Sequence, residues 1–259
     1  MKPYIKVLGA YGTRAKGFGT SSFYLNKHNV IDAGNILNTL EHESTKLNNI
    51  WITHSHLDHI VDIAYIIDNY YLQRDTPLHI IGLPQTIKAI RKHFLNDIIW
   101  PDFSKIPLHN SKKMSVIYKE IKLNKEYRLS KDETIRAYKT DHTVESCGYI
   151  YTKKDRSILI TADTFSLDST IKEIDKDKKI SKAIIECSFS SDMKTLAKES
   201  KHLTPNYLQR QLKNMQREDV SIYINHMKPS FLKKIKKEIS QNKGSKCLNI
   251  LKDEEILNF

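Results

Sequence analysis

The pattern of apolar and polar positions predicts a chain that mixes strands and helices. Short apolar runs rich in β-branched residues predict strands at 4–8, 22–26, 29–32, 49–53, 78–82, 114–120, 134–140, 147–152, 157–162, 182–186, 221–225 and 247–251. Longer amphipathic stretches predict helices near 36–41, 59–70, 84–95, 168–176, 204–215 and 230–240. Periodicity alone therefore predicts a mixed α and β fold, and no linker, repeat or low-complexity tract divides the chain.

Four candidate metal ligands lie within six residues, directly after the predicted strand 49–53. The stretch from His54 to His59 reads His-Ser-His-Leu-Asp-His, and the residues after it predict a helix. Imidazole and carboxylate are ligands that Zn²⁺ prefers. In an extended loop, His54 and His56 point to one side, whereas Asp58 and His59 follow the bend into the helix and point to another. The sequence therefore predicts two adjacent metal ions, an arrangement typical of hydrolases.

Three more candidate ligands lie at the ends of other predicted strands. His142 lies in the loop after 134–140, Asp163 follows 157–162, and His226 follows 221–225. Open sheets place their ligands at the carboxyl ends of strands, so we expect these three side chains to join the same site. The histidines that remain, apart from His202, lie in polar turns or helical stretches without a ligand partner at useful spacing: His28, His42, His79, His93 and His109.

The pattern His-x-His-x-Asp-His after a strand resembles the hallmark of the metallo-β-lactamase superfamily. The resemblance implies a four-layer αββα sandwich of the α/β class that occupies residues 1–259 as a single domain. It also implies two divalent metal ions, expected to be Zn²⁺, with Mn²⁺ and Fe²⁺ as alternatives because His and Asp ligands accept all three. In the superfamily's order of ligands, one ion would be held by His54, His56, His142 and Asp163, and the other by Asp58, His59, Asp163 and His226, with Asp163 bridging.

Further stretches resemble the class II cyclic nucleotide phosphodiesterases of that superfamily. They occur in the family's order at 94–102 (Phe-Leu-Asn-Asp-Ile-Ile-Trp-Pro-Asp), 185–189 (Ile-Glu-Cys-Ser-Phe), 202–205 (His-Leu-Thr-Pro) and 225–229 (Asn-His-Met-Lys-Pro). The resemblance implies hydrolysis of 3′,5′-cyclic AMP or cyclic GMP to the 5′-monophosphate by a metal-bridging hydroxide. His202 would protonate the leaving alkoxide or stabilise the transition state, and Asp58 would be catalytic as well as a ligand.

Two alternatives stay open beside this prediction. The first is a tRNase Z-like endonuclease that processes RNA 3′ ends, because Ser-Cys-Gly-Tyr at 146–149 resembles that family, although no Gly- and Pro-rich arm is evident. The second is a binding or regulatory protein that retains the fold and its metals without catalysis. For His202 itself, an ordinary surface position before a helix is the competing interpretation, because Thr204 and Pro205 form a common helix start.

Composition narrows the partners and the setting. The net charge of +12 would suit nucleic acid, but the lysines are spread along the whole chain and suit a phosphoester substrate equally well. Three cysteines are too few and too scattered for a disulfide framework, and no apolar run is long enough to cross a membrane. We therefore expect a soluble cytoplasmic protein. The resemblance implies a small cyclic nucleotide as its substrate, with nucleic acid as the less favoured partner. Related enzymes make a homodimer a fair expectation.

Overall fold

The computed structural model describes residues 3–241 and 246–259. Its strands are β1 (Tyr4–Gly9), β2 (Ser22–Asn26), β3 (Asn29–Ile31), β4 (Asn49–Trp51), β5 (Leu78–Gly82), β6 (Val116–Glu120), β7 (Glu126–Ser130), β8 (Glu133–Lys139), β9 (Cys147–Lys153), β10 (Arg156–Ile160), β11 (Ile180–Glu186), β12 (Ser221–Asn225), β13 (Leu248–Ile250) and β14 (Ile256–Asn258). Its helices are α1 (Leu37–Leu40), α2 (Leu57–Asn69), α3 (Pro84–His93), α4 (Asp168–Lys176), α5 (Lys194–Glu199), α6 (Pro205–Leu212) and α7 (Leu232–Gln241).

The strands form two sheets that share one plan. The first sheet has the order β14-β1-β2-β3-β4-β5-β6, and the second has the order β13-β12-β11-β10-β9-β8-β7. In each sheet a run of four strands is parallel, β3 to β6 in the first and β10 to β13 in the second. The other strands pair antiparallel. Parallel strands bring their carboxyl-terminal ends to the same edge of each sheet, which is where such sheets usually bind ligands.

The two sheets pack face to face, and helices cover both outer faces. Large aromatic side chains fill the space between the sheets, among them Phe23 and Trp51 from the first sheet and Tyr149 and Tyr151 from the second. A second cluster joins the outer face of the first sheet to α2 and α3, and a third joins the outer face of the second sheet to α4, α6 and α7. These layers confirm the predicted αββα sandwich.

Helix α2 illustrates how the sequence dictates a covering helix. Ile60, Ile63, Ala64 and Ile67 are buried and recur at the spacing of one helical face. That face packs on the first sheet, and this contact brings the first turn of the helix to the strand ends. No helix among the residues described here is long and apolar enough to span a membrane.

The sequence-based assignment missed three short elements and misplaced several boundaries. It overlooked β7, which is an edge strand whose alternate residues are exposed and which therefore has no apolar run. It also overlooked β14 and α5, which have only three and six residues. Helix α2 begins at Leu57 rather than at residue 59. Asp58 and His59 consequently lie within the first helical turn, where their backbone is regular.

Candidate metal centre

The seven predicted metal ligands converge at one edge of the sandwich. They follow strands β4, β8, β10 and β12 or begin α2, so both sheets contribute. Two sets have ligand atoms that all lie within 4.8 Å of one another, and together these sets contain His54, His56, Asp58, His59, His142, Asp163 and His226. Residues separated by up to about 170 positions in the chain are thus brought to one place by the ends of the strands.

The first set combines three imidazoles with the Asp163 carboxylate. His142 Nε2 lies 3.2 Å from His56 Nδ1 and 3.8 Å from Asp163 Oδ2. His54 Nε2 lies 3.6 Å from the same carboxylate oxygen. His54, His142 and Asp163 are buried, whereas His56 is partly exposed. Three nitrogens and one oxygen thus surround a common point, as the ligands of a divalent ion do.

The second set consists of Asp58, His59 and His226 and lies beside the first. His59 Nε2 and His226 Nε2 are 3.2 Å apart, and His226 Nε2 is also 3.2 Å from Asp58 Oδ2. Asp163 approaches both rings, with Oδ2 3.5 Å from His59 Nε2 and Oδ1 3.2 Å from His226 Nε2. The Asp163 carboxylate therefore lies between the two sets: Oδ2 approaches rings of both sets, and Oδ1 approaches His226.

Hydrogen bonds on the far side of each ring determine which nitrogen faces the centre. The Nδ1–H groups of His59 and His142 donate to the Asp32 carboxylate at 2.7 Å and to the Lys201 carbonyl at 3.1 Å. Since an acceptor occupies each Nδ1, each Nε2 carries a lone pair whenever the ring is neutral. The Nδ1 of His54 lies 3.1 Å from the Thr53 hydroxyl, which itself donates to Asp32.

This arrangement leaves buried acceptor atoms without hydrogen-bond partners, and a bound cation would interact with them. His54 Nε2 and Asp163 Oδ1 are buried and form no hydrogen bond among the described residues. The Nε2 atoms of His59 and His226 lie only 3.2 Å apart, so a proton or a metal ion must lie between them for the contact to be favourable. The donor set of imidazoles and carboxylates fits a divalent metal ion.

Burial keeps most of the rings in the neutral form that metal binding requires. Burial lowers the pKa of His54 well below its ordinary value, and it lowers the pKa of His142 to about 4. Burial also lowers the pKa of His56. For Asp163, burial alone would raise the pKa, but the imidazoles of His226 and His59 outweigh it and hold the pKa well below its usual range. The carboxylate is therefore ionised and ready to bind a cation.

His59 behaves differently because three carboxylates surround it. Burial lowers its pKa, but Asp163, Asp32 and Asp58 outweigh burial and raise the pKa well above the ordinary value. Asp58 has its pKa held well below the usual range, since the neighbouring rings of His59 and His226 outweigh burial. The excess of negative charge around His59 is what a second cation would neutralise.

Asp32 is a buried carboxylate in contact with the candidate ligands that the sequence-based reasoning missed. It follows β3, is 1% exposed, and holds His59 through its Oδ2 at 2.7 Å. Its Oδ1 accepts the Thr53 amide at 2.8 Å. The sequence does show an aspartate at the end of a predicted buried strand, in the stretch Ile-Asp-Ala-Gly at 31–34. No other candidate metal ligand lies next to it in the sequence, so the pattern did not mark it as part of a site.

Unusual backbone conformations accompany the site. Asp32, Ala162 and His226 have positive φ angles of 57°, 58° and 59° at the ends of β3, β10 and β12. Such conformations cost energy in residues other than glycine and concentrate at functional sites. Gly12 packs so tightly against His226 that an added Cβ would lie 2.6 Å from its Nδ1. This contact with Gly12 explains why a glycine occupies that position.

His202 lies beside the metal-ligand sets and is held by Glu186. Its Nδ1 donates to Glu186 Oε1 at 3.0 Å, and its backbone amide donates to the Ala197 carbonyl at 2.7 Å. Ser188 links the same carboxylate to His226, because its hydroxyl donates to Glu186 at 2.9 Å and accepts from His226 Nδ1 at 2.9 Å. Burial lowers the pKa of His202, but the Glu186 carboxylate outweighs burial and raises it.

Two clefts open beside the centre. One has a volume of about 850 Å³ and is lined by His202 together with aromatic and cationic side chains of the α5 and α6 region. The other has a volume of about 380 Å³ and is lined by Asp58, Arg14 and Lys228. The larger cleft thus borders His202 and the smaller cleft borders Asp58, and lysine and arginine side chains line both.

The family of this chain follows from a comparison with protein-family models. The model of the class II cAMP phosphodiesterases matches residues 10–257, nearly the whole sequence. This chain belongs to that family. The predicted resemblance to the metallo-β-lactamase superfamily and to its class II phosphodiesterases is thereby confirmed.

Curated relatives match over shorter stretches. The 3′,5′-cyclic-nucleotide phosphodiesterase 1 of Saccharomyces cerevisiae is 41% identical over 59 residues, which are 22% of this chain and 16% of the yeast protein. The ribonuclease Z of Thermococcus sibiricus is 27% identical over 121 residues, which are 46% of this chain and 35% of that protein. The matched stretches thus span well under two thirds of either relative's length.

Solved structures match over the whole fold. The unliganded yeast PDE1 has a TM-score of 0.80 at 19% identity, with 100% of both chains covered. A metallo-β-lactamase fold protein from Bacillus subtilis has a TM-score of 0.74 at 22% identity, with 98% of this chain and 99% of that chain covered. At these identities the similarity concerns the fold, which is that of the metallo-β-lactamases.

Proposed function

We propose that this protein is a dinuclear metal-dependent phosphodiesterase that hydrolyses 3′,5′-cyclic nucleotides to 5′-monophosphates. The observation that carries the proposal is the family match over residues 10–257, combined with a cluster of ligands that would hold two ions. A pair of adjacent ions is the usual machinery for displacement at phosphorus.

The two ions would be divided between the two ligand sets. His54, His56 and His142 would hold one ion with Asp163, and Asp58, His59 and His226 would hold the other with the same carboxylate. Support for the shared role of Asp163 comes from its two oxygens, which lie 3.5 Å from His59 Nε2 and 3.2 Å from His226 Nε2. Zn²⁺ is the expected metal, because borderline ions favour imidazole with carboxylate.

The ions would supply Lewis acidity, which makes water more acidic and offsets the charge of the phosphodiester. Contact with the reacting groups and proton donation would be provided by side chains of the protein. Asp58, which is partly exposed in the smaller cleft, would contact the reacting groups as well as bind metal. His202, whose Nδ1 is held by Glu186, would present Nε2 to the leaving 3′ oxygen and donate its proton.

A ribonuclease Z-like endonuclease is the second candidate, and two observations favour it. The Thermococcus relatives match nearly half of this chain. In addition, Lys194, Lys198 and Arg210 line the larger cleft beside His202, so part of the positive charge does converge near the centre. An RNA substrate would need such a charged approach, whereas a small cyclic nucleotide fits within a cavity of about 850 Å³.

The first experiment measures turnover of cyclic AMP, cyclic GMP and a pre-tRNA by the metal-loaded protein, with Asp163→Ala as the inactive control. The proposal predicts release of 5′-monophosphate by the wild type and none by Asp163→Ala, whose metal content should fall below two ions per chain. Cleavage of pre-tRNA without cleavage of cyclic nucleotides would instead support the ribonuclease Z-like function. Undiminished two-metal stoichiometry in Asp163→Ala would refute the bridging role.

A second experiment separates proton donation by His202 from metal binding. A ring nitrogen of His202 also lies within 4.8 Å of ligand atoms of Asp163 and His226, so the same ring could serve as a ligand. We expect His202→Ala to lower kcat by about 10²- to 10⁴-fold, as loss of a general acid does, while both metals remain. Loss of a metal from this variant would identify His202 as a ligand instead.

The cytoplasmic setting and a homodimer also remain proposals. The three cysteines are free, and Cys147 and Cys187 are buried, which suits a reducing compartment. Fractionation of cells for the location and light scattering of the purified protein for the assembly state would test the two proposals.

A further inference from the structure

The larger cleft beside His202 has a wall built from aromatic rings. Phe165 lies in the same loop as Asp163, and Tyr207 lies in the first turn of α6. Their rings are stacked, with centroids 4.6 Å apart and planes inclined by 27°. The Arg210 guanidinium lies over the Tyr207 ring, 4.7 Å from its centroid. Both rings are only half-buried and line the cavity, so the ring surface that is covered neither by their mutual stacking nor by Arg210 offers a planar apolar face to a ligand.

The backbone around Phe165 is fixed rather than free. Its amide donates to the Asp141 carbonyl at 2.9 Å, and its carbonyl accepts from Gln211 Nε2 at 3.0 Å. Gln211 lies on α6, the helix that carries Tyr207, so a hydrogen bond ties the two halves of the wall together. A wall held in this way is preorganised, which reduces the entropy lost when a flat ligand binds.

The position of the leaving oxygen in the proposed reaction indicates where the nucleoside would lie. We infer that the cavity beside His202 receives the nucleobase of the substrate, which stacks on the wall formed by Phe165 and Tyr207. This inference rests on the proposed function. The leaving oxygen must lie next to His202 if that ring protonates it, and in a cyclic nucleotide the leaving oxygen belongs to the ribose. The base attached to that ribose therefore enters the cavity that His202 lines.

The remaining lining of the cavity suits the polar edge of a base. Lys194, Lys198 and Arg210 are cationic, Asn206 is an amide, and none of the lining side chains in the described part of the chain is acidic. Purine edges present several ring-nitrogen acceptors, to which such donors bind. The volume of about 850 Å³ falls in the range of pockets for small ligands. Phe165 and Tyr207 are thus positioning residues, whereas His202 contacts the reacting atoms.

The test removes the rings while keeping apolar bulk. Phe165→Leu and Tyr207→Leu eliminate the stacking surface, and Tyr118→Leu is the matched control. Tyr118 also carries an arginine over its ring, Arg91 at 5.2 Å, but it lies on edge strand β6 and does not line the cavity. For each protein, calorimetry measures binding of AMP, GMP and ribose 5-phosphate, and steady-state assays measure KM and kcat for cyclic AMP and cyclic GMP.

Stacking of a base on an aromatic ring changes affinity by about 5- to 150-fold in ring-removal experiments. We therefore expect the wild type to bind at least one nucleotide about tenfold or more tightly than ribose 5-phosphate. Each wall variant should lose most of that preference and show a KM raised about tenfold at nearly unchanged kcat, while Tyr118→Leu behaves like the wild type. Such a split in KM and kcat marks lost binding, which a general loss of structure would not produce.

The outcomes separate this inference from the proposed function. If cyclic nucleotides are hydrolysed but neither wall variant changes the preference for nucleotide over ribose 5-phosphate, the base lies elsewhere and the inference is wrong while the function stands. If no cyclic nucleotide is hydrolysed but the preference exists and depends on the wall, the pocket is supported and the proposed function fails. A wild type that binds AMP and GMP no better than ribose 5-phosphate overturns the inference.

Discussion

The Asp32→Asn variant tests whether a buried carboxylate outside the ligand sets controls metal binding. Asp32 Oδ2 accepts the Nδ1–H of His59 at 2.7 Å. The same carboxylate accepts the Thr53 hydroxyl at 2.8 Å, and that hydroxyl lies 3.1 Å from His54 Nδ1. Asp32 thus supports one ligand of each set. Asparagine keeps the volume but replaces an acceptor oxygen with an NH₂ donor and removes the charge.

The substitution changes which nitrogen of His59 carries the proton or how basic the ring is. If the new NH₂ group faces His59, two donors meet, and the ring must move its proton to Nε2, the nitrogen that would bind metal. If the amide oxygen faces His59 instead, the neutral partner makes the ring a weaker base. Loss of such a supporting partner costs about 10- to 100-fold in metal affinity, which corresponds to about 1.4 to 2.8 kcal/mol.

Competition with a chromogenic chelator measures the affinity of each ion in the wild type and in Asp32→Asn. The matched control is Glu133→Gln, which alters another buried carboxylate, one that accepts Tyr151 at 2.9 Å at the start of β8, the strand that ends near His142. We expect weaker binding of both ions in Asp32→Asn only. Wild-type affinity in Asp32→Asn would refute the argument that Asp32 sets the tautomers of the ligands.

Three further predictions follow from contacts at the site. Gly12→Ala should weaken metal binding in chelator competition, because the added Cβ would lie 2.6 Å from His226 Nδ1. The control Gly17→Asn should bind metal normally, because a Cβ added at residue 17 would meet no atom within 4 Å. Glu186→Gln should lower kcat and leave KM nearly unchanged, because His202 loses its charged partner; an unaltered kcat would contradict this. Metal at 100 times its dissociation constant should stabilise the folded protein by about 2.7 kcal/mol, so calorimetry with and without a chelator should show a clear shift in Tm.

Much of the fold could be predicted because its core strands carry concentrated apolar runs. Strands β5 and β12, for example, lie at the predicted positions. The elements that were missed have little apolar content. In β7, only alternate residues are half-buried, since the strand lies at a sheet edge with one neighbour. Periodicity also does not say which strands form which sheet, and the layered architecture came from the family resemblance.

The candidate ligands were identifiable because each is a metal-binding residue type at the end of a buried strand or in the six-residue stretch that follows β4. Such a position is visible in the sequence for Asp163 and His226. Asp32 occupies a similar position but serves His59 through a hydrogen bond, and the sequence holds no pattern for a contact between residues 27 positions apart. The wall of Phe165 and Tyr207 was equally invisible, because the two residues belong to different elements and meet only in the folded chain.

The distribution of the ligands links the metal centre to the way the sandwich is assembled. His54, His56, Asp58 and His59 follow β4 of the first sheet, whereas His142, Asp163 and His226 follow strands of the second. Both ligand sets therefore draw on both sheets, and neither sheet alone could complete one. An ion bound to either set would join the sheets at the edge where the aromatic core between them ends. Since the geometry of the ligands requires the sheets to be packed, metal affinity and folding are coupled, and a mutation that loosens the packing between the sheets should weaken both ions together.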